Sequence, residues 1–199
     1  MKRKRIVAYF TLIAGCAAMT YFAIQNSLDW VQIVSALVAV LGVVLLAIEL
    51  YQSRKITEAE FLANLNQTFV SNEDYKTAYA LFEKYDFDAL PDLELENYHI
   101  SNYLTFFEVF QLLLERGTLT IDMINDLFGY RFFIAVHNPY VQRQKIVKSP
   151  ENFRNIYILE REWVAYRKKK RMPIFHEEYS LEAVVPPEVY RKAIASRRR

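Results

Sequence analysis

The amino-acid sequence predicts an all-α protein, a two-helix transmembrane hairpin followed by a cytoplasmic helical bundle. Three observations carry that expectation. Two runs without a charged residue, Ile6 to Ile24 (19 residues) and Val31 to Ile48 (18 residues), stand near the start of the sequence, and nothing comparable follows Tyr51. The remainder places apolar residues at helical spacing and contains no convincing alternating strand. Only four glycines occur in 199 residues, which adds to the case against a many-stranded fold.

The expected organisation is a basic cytoplasmic N-terminus (1–5), a first span (6–24), a short outer loop (25–30), a second span (31–51), a cytoplasmic helical domain (52–172) and a basic, partly ordered tail (173–199). Each span approaches the ~20 residues a helix needs to cross a ~30 Å hydrocarbon layer. Orientation follows from flanking lysine and arginine, which are retained on the cytoplasmic side. Lys2, Arg3, Lys4 and Arg5 precede the first run and Arg54 and Lys55 follow the second, whereas the connector has no basic residue and one acid, Asp29. Both termini are therefore expected in the cytoplasm, with the inner membrane of a bacterium as the location. Trp30 and Tyr51 sit at the ends of the second span, where amphipathic rings favour the interface.

The "IAGC" ending at Cys16 has the form of a lipoprotein cleavage site, but the apolar run continues through Ala17, Ala18, Met19, Tyr21, Phe22 and Ile24 where a polar tether would be expected. An uncleaved span is the favoured reading. A single cysteine also gives no internal disulfide framework. Small residues at spacing four, Ala14 with Ala18 and Ser35 with Ala39, allow close helix approach. Hairpin packing is favoured over a pore or an oligomer seam. Glu49 lies at the cytoplasmic end of its span, so an interfacial position is favoured over an intramembrane carboxylate.

After Tyr51 the second span is expected to continue as a helix with Ile56, Phe61, Leu62, Leu65 and Phe69 on one side. "SNEDYKTAYALFEKYD" begins with a capping residue and acids and carries Tyr75, Tyr79 and Phe82 on one face, and Pro91 marks a loop after it. "ENYHISNYLTFFEVFQLLLERG" is apolar over most of its circumference, leaving a stripe of Asn102, Thr105, Glu108 and Glu115, and Gly117 stops it. It is expected at the centre of the domain. Thr120 is the expected cap of the next helix, and Asn138 and Pro139 mark a break and restart. Ser149, Pro150 and Glu151 are expected to open the last long helix, which ends in basic residues. A short helix is expected at "PPEVYRKAIAS" in the tail.

Charge is unevenly spread. Residues 56–128 hold 14 acids against 3 bases, a net of −11, and residues 129–199 hold 7 against 16, a net of +9. The halves attract each other, or the basic half faces something anionic.

No catalytic motif is found. His99, His137 and His176 are scattered and no HExxH or CxxC spacing occurs, so no metal is expected. Gly15, Gly42, Gly117 and Gly129 form no phosphate loop, and no cofactor is expected. Glu108 and Glu115 are seven residues apart, about 10 Å along a helix axis, and read as a solvated stripe or as partners of Arg116, Arg131 or Arg154 rather than as an acid/base pair. The run Arg167, Lys168, Lys169, Lys170, Arg171, ending at Met172, is the candidate contact for lipid or another anion. Neutralisation of the acidic half ranks equal to membrane contact, and nucleic acid ranks well below both.

The segment from "NYLTFFEVFQLLLERGTL" to "INDLFGYRFF", through Asn102, Phe107, Glu108, Arg116, Gly117, Leu119, Leu127 and Gly129, resembles a bacterial family of unknown function with N-terminal membrane helices and a helical cytoplasmic domain. The resemblance extends over about residues 45–170 and implies this architecture but no activity. Phe106, Phe107, Phe110, Phe128, Phe132 and Phe133 are expected in the core rather than in an exposed partner groove. The functional expectation is a membrane-anchored interaction or sensor module without catalysis, with the bilayer and a protein partner or homo-oligomer as contacts. The alternative is a membrane-disrupting effector, as in phage defence, whose two spans oligomerise.

Overall fold

The computed structural model describes residues 30–84 and 97–195, together with Ala18 and Tyr21, both helical and exposed. The rest of the expected first span, with Ala14 and Cys16, lies outside the described residues, as do Pro91 and Arg197 to Arg199. Among the described residues every regular element is helical, which gives the all-α class. The chain divides into two compact units, Met1–Glu60 and Phe61–Arg199.

In the first unit the helix α1, Trp30–Ser71, carries the expected second span. It is one helix of 42 residues, so the span and the segment after Tyr51 are continuous as expected. Its side chains around Val38, Leu41, Val43, Leu45 and Leu50 are 60–67% exposed. Ser35 and Ala39 are exposed as well. Among the described residues, one helix is thus long and apolar enough to cross a membrane.

The second unit is built on rings. It begins within α1, where Phe61, Leu62 and Leu65 are half-buried and Phe69 is fully enclosed. Asn72 then breaks the helix and caps α2, Glu73–Lys84, its Oδ1 accepting from the backbone N–H groups of Asp74 (2.9 Å) and Tyr75 (3.2 Å). Asp74 also ties α2 to α3, Asn97–Glu115: one carboxylate oxygen meets His99 Nδ1 at 2.9 Å and the other accepts from Asn102 at 2.7 Å. Down the buried face of α3 run Ile100, Tyr103, Phe106, Phe107 and Phe110.

Gly117 ends α3 as its sequence position suggests. At φ 69° it occupies the left-handed region, Thr118 N–H reaches Leu113 O at 3.0 Å and Gly117 N–H reaches Leu114 O at 3.0 Å, which is the Schellman arrangement. Thr120 caps α4, Ile121–Val136, through its side chain and Met123 N–H. Asn138 restarts the chain by capping the short α5, Pro139–Val141, which continues as a π-helical turn, Gln142–Ile146.

The opening of α6, Arg154–Lys170, differs from the expected Ser149 cap. Residues 149–153 form turns instead, Asn152 N–H bonding to Ser149 O at 3.0 Å, and Phe153 takes the capping position with no side-chain bond. Burial of the Phe153 ring in the core decides the start. The segment from Pro173 includes the short helix expected at "PPEVYRKAIAS". It forms a 3₁₀ turn, Glu177–Tyr179, then α7, Leu181–Val184, and α8, Pro187–Ala195, and buries Leu181, Val185, Tyr190 and Ala193. The bundle therefore extends to Ala195 rather than stopping at Met172.

Phe69 shows why the end of α1 is fixed. Its ring meets Tyr79 of α2 (6.1 Å), Tyr103, Phe106 and Phe107 of α3 (5.5, 5.4 and 6.4 Å) and Phe128 of α4 (6.1 Å). The Arg131 guanidinium lies 4.6 Å from its centroid and donates to Asn66 Oδ1 at 2.8 Å. Phe69→Ala is expected to lower unfolding free energy by about 3–5 kcal/mol, measured by urea denaturation of the full chain in neutral detergent.

Candidate functional site

The basic run at the end of α6 is the candidate site, and the helix distributes its five cations among three environments. Arg167 lies four residues after Trp163 and faces inward, 6% exposed. Its Nε donates to Pro173 O (2.7 Å), one Nη donates to Asn125 Oδ1 (3.0 Å), and the guanidinium stands over the rings of Phe175 (4.7 Å) and Phe133 (5.8 Å). Expected at the surface, Arg167 instead belongs to the core, because α6 repeats its buried face through Ile156, Trp163 and Arg167. Lys168 pairs with Glu177 (2.9 Å) and Lys170 with Asp122 (3.1 Å), both in the open. These carboxylates hold both ammonium groups above their ordinary range, first through the hydrogen bond and then through charge. Lys169 and Arg171 remain exposed and form no ion pair among the described residues.

Asn125 organises the interior around Arg167. It is 5% exposed on α4, and the same Oδ1 that takes the guanidinium also accepts from the Trp163 indole N–H at 3.1 Å. Its amide donates to Asp126 Oδ1 at 3.0 Å. Gly129, one turn further along α4, leaves the room this needs: a Cβ there would stand 3.2 Å from Arg167 Nη1, 3.5 Å from Asn125 Oδ1 and 3.7 Å from Trp163 Cζ2. At the C-terminal end of α6, Arg171 takes φ 57°, and Met172 N–H turns back to Arg167 O at 2.9 Å.

Two more buried side chains hold the chain beyond Met172. His137 Nδ1 meets Phe175 O at 2.7 Å. A carbonyl oxygen only accepts, so Nδ1 carries the hydrogen. His137 Nε2 faces Glu160 Oε1 at 3.4 Å, with both side chains essentially inaccessible. Gln142, from the π turn, donates to Val136 O (2.9 Å) and Tyr179 O (2.6 Å). Arg167, His137 and Gln142 thus hook successive carbonyls of one strap, Pro173, Phe175 and Tyr179. Nearby, burial pushes the Tyr157 phenol up to about 12, and pushes Tyr190 up further with help from the charges of Glu160 and Glu182.

The glutamates of the α3 stripe are not brought together. Glu108 is half-buried and Glu115 is exposed, accepting from Gln111 Nε2 at 3.4 Å. Arg131 goes to Asn66 and the Phe69 ring, and Arg154 donates to Ala193 O at 3.1 Å. Among the histidines, His99 joins Asp74, His137 joins Glu160 and His176 stands 3.9 Å from Glu178, each with one carboxylate in a different part of the bundle. Among the described residues no three His, Cys, Asp or Glu side chains are grouped as metal ligands would be.

The described fold is an all-helical bundle whose polar interior ties helices and strap together, in a chain that also carries an exposed apolar helix. The chain belongs to the family described as domain of unknown function DUF4760, whose pattern matches residues 36–163, well over half of the 199 residues. The match begins within α1 and ends at Trp163. No curated protein and no solved structure matches the chain.

Removing the Asn125 side chain leaves the indole N–H and one guanidinium N–H unpaired in the core. Asn125→Ala is expected to cost about 2–4 kcal/mol in urea unfolding, whereas Lys169→Gln changes stability by less than about 0.5 kcal/mol. Burial raises the Glu108 carboxyl above its ordinary range. The folded protein therefore favours the protonated acid, so this stabilisation is present below the unfolded pKa and is lost as pH rises through the folded one. Glu108→Gln should raise the thermal midpoint at about pH 7 and leave it unchanged at about pH 3, read by circular dichroism melts.

Proposed function

We propose that this chain is a membrane-anchored helical module that engages a protein partner, or further copies of itself, without catalysis. In this reading two spans hold it in the bacterial inner membrane with both termini and the helical domain in the cytoplasm. The observation that carries the reading is α1. A side chain such as Val43 or Leu45, 67% and 65% exposed, gains about 1.5–3 kcal/mol on leaving water, and such residues recur along this helix. A bilayer is the environment that accepts such a surface on all sides. The excess of lysine and arginine at residues 2–5, 54 and 55 supports the orientation. The separation of Glu108 from Glu115, and their different burial, supports a binding role over acid/base chemistry.

Single-cysteine variants in a Cys16→Ala background test this directly. With a membrane-impermeant maleimide applied to spheroplasts, Asn26→Cys is expected to label in intact cells and Lys76→Cys only after lysis. Labelling of Lys76→Cys in intact cells, or release of the full chain by alkaline wash, would overturn the proposed topology.

A further inference from the structure

His137 caps the C-terminal end of α4 with its side chain 0% exposed, and Glu160 of α6 lies opposite it at 2%. His137 Nδ1 holds the strap through Phe175 O at 2.7 Å, which requires a hydrogen on that nitrogen. A neutral imidazole with its hydrogen on Nδ1 carries a lone pair on Nε2, and here Nε2 stands 3.4 Å from Glu160 Oε1. A lone pair does not bond to a carboxylate. One further proton, on Nε2 or on the carboxyl, is therefore needed between the two side chains for both contacts to be made at once.

Removing that proton undoes one contact or the other. With the hydrogen kept on Nδ1, the Nε2 lone pair faces a buried carboxylate; with the hydrogen moved to Nε2, Nδ1 turns a lone pair toward the Phe175 carbonyl. Either arrangement sets two acceptors against each other in an interior closed to water. The segment that depends on this bond has little structure of its own, since α7 has four residues and a helix that short does not persist alone. Ordinary carboxyl, lysine, arginine and tyrosine groups keep their charge state between about pH 5.5 and 8. That covers Lys168 and Tyr190, which feel the charge of Glu160, and the Glu177, Glu182 and Arg161 that act on them. It also covers Arg167, which holds Pro173 O. His176, next to Phe175, is the other imidazole on the strap and stands 3.9 Å from Glu178.

We propose that the His137–Glu160 pair is a proton-operated latch: one proton held between Nε2 and Oε1 locks the strap onto the bundle, and its loss as pH rises frees the strap. Once released, the pair is solvated, and an imidazole in water gives up its second proton near about pH 6.5. Above that pH the docked form binds one proton more than the released form, so docking weakens as pH rises. Below about pH 4.3 the released form takes up a proton on each side chain and the order reverses. The inference stands on the bundle alone and does not rest on the anchoring proposed above.

The test is amide hydrogen exchange of the full chain in neutral detergent, read by mass spectrometry, with each rate divided by that of unstructured peptide at the same pH. Protection of residues 177–185 is expected to be steady from about pH 5.5 to 6.5 and to fall about tenfold from about pH 7 to 8, while residues 124–135 of α4 keep theirs. Glu160→Gln makes the contact without the extra proton, because its amide donates to a neutral Nε2, so it should retain the protection and lose the pH dependence. His176→Gln should leave both unchanged. No fall in the wild type, an equal fall in α4, a slope that survives Glu160→Gln, or one that disappears with His176→Gln overturns the proposal. If Glu160→Gln does not fold, nitrogen NMR of the histidine rings in the wild type decides the same point. A hydrogen on His137 Nδ1, with one proton lost over the rise in pH that frees the strap, is expected, and a bare Nδ1 in the docked form overturns the latch.

Discussion

The enclosure of the Phe69 ring is the contact on which the bundle's arrangement turns. It is contributed by the last stretch of α1, yet its neighbours come from α2, α3 and α4, so three helices are set around one side chain. Edge and tilted contacts of this kind place the positive rim of one ring against the negative face of another. Arg131 adds a full charge to the same principle, lying against the Phe69 ring while hydrogen-bonding to Asn66 on the same helix. Tyr103 then fixes the backbone of Arg131 by donating to its carbonyl at 2.8 Å, and burial holds that phenol firmly in its protonated form.

A core made of rings leaves polar work to a few long side chains. Arg167, His137 and Gln142 reach from the helices to the carbonyls of the strap, and Arg154 reaches Ala193 O near the end of α8. These bonds satisfy backbone groups that the short elements after Met172 leave unpaired. The apparent surplus of positive charge in residues 129–199 is thus partly interior. Arg167 counts toward the net charge of the sequence but is largely withdrawn from the surface on which a partner would land.

Much of the fold was legible because the local signals are strong. Gly117 is a C-terminal glycine with the positive φ that such a position requires, and Thr120 and Asn138 do the capping their side chains predict. The start of α6 was less legible, since Ser149 and Pro150 form an acceptable helix opening while burial of Phe153 moves the start downstream. Arg167 was misplaced for a similar reason. Within "RKKKR" it reads as one of five equivalent cations, but its spacing from Ile156 and Trp163 puts it on the buried face, and counting the helical period through the basic run would have separated it. Asn125 carries the same lesson on α4, where it shares a face with Phe128 and Phe132. The strap was illegible for another reason. Its elements are short, it contains Pro173, Pro186 and Pro187, and two of its three anchors, His137 and Gln142, lie 38 and 37 positions earlier in the sequence than the carbonyls they hold. No periodic pattern reports a hydrogen bond of that kind.

The strap also sets an order of events during synthesis. Arg167, His137 and Gln142 leave the ribosome before most of the carbonyls they bind, because chains emerge from the N-terminal end at only ~5–20 residues per second. Until residues 173–179 follow, the nascent bundle holds polar groups without their native acceptors. Its aromatic core can gather early, but closure waits for translation of the strap. A product ending near Met172 would expose that unfinished interior, with Arg167, His137 and Gln142 lacking these acceptors, to chaperones and proteases.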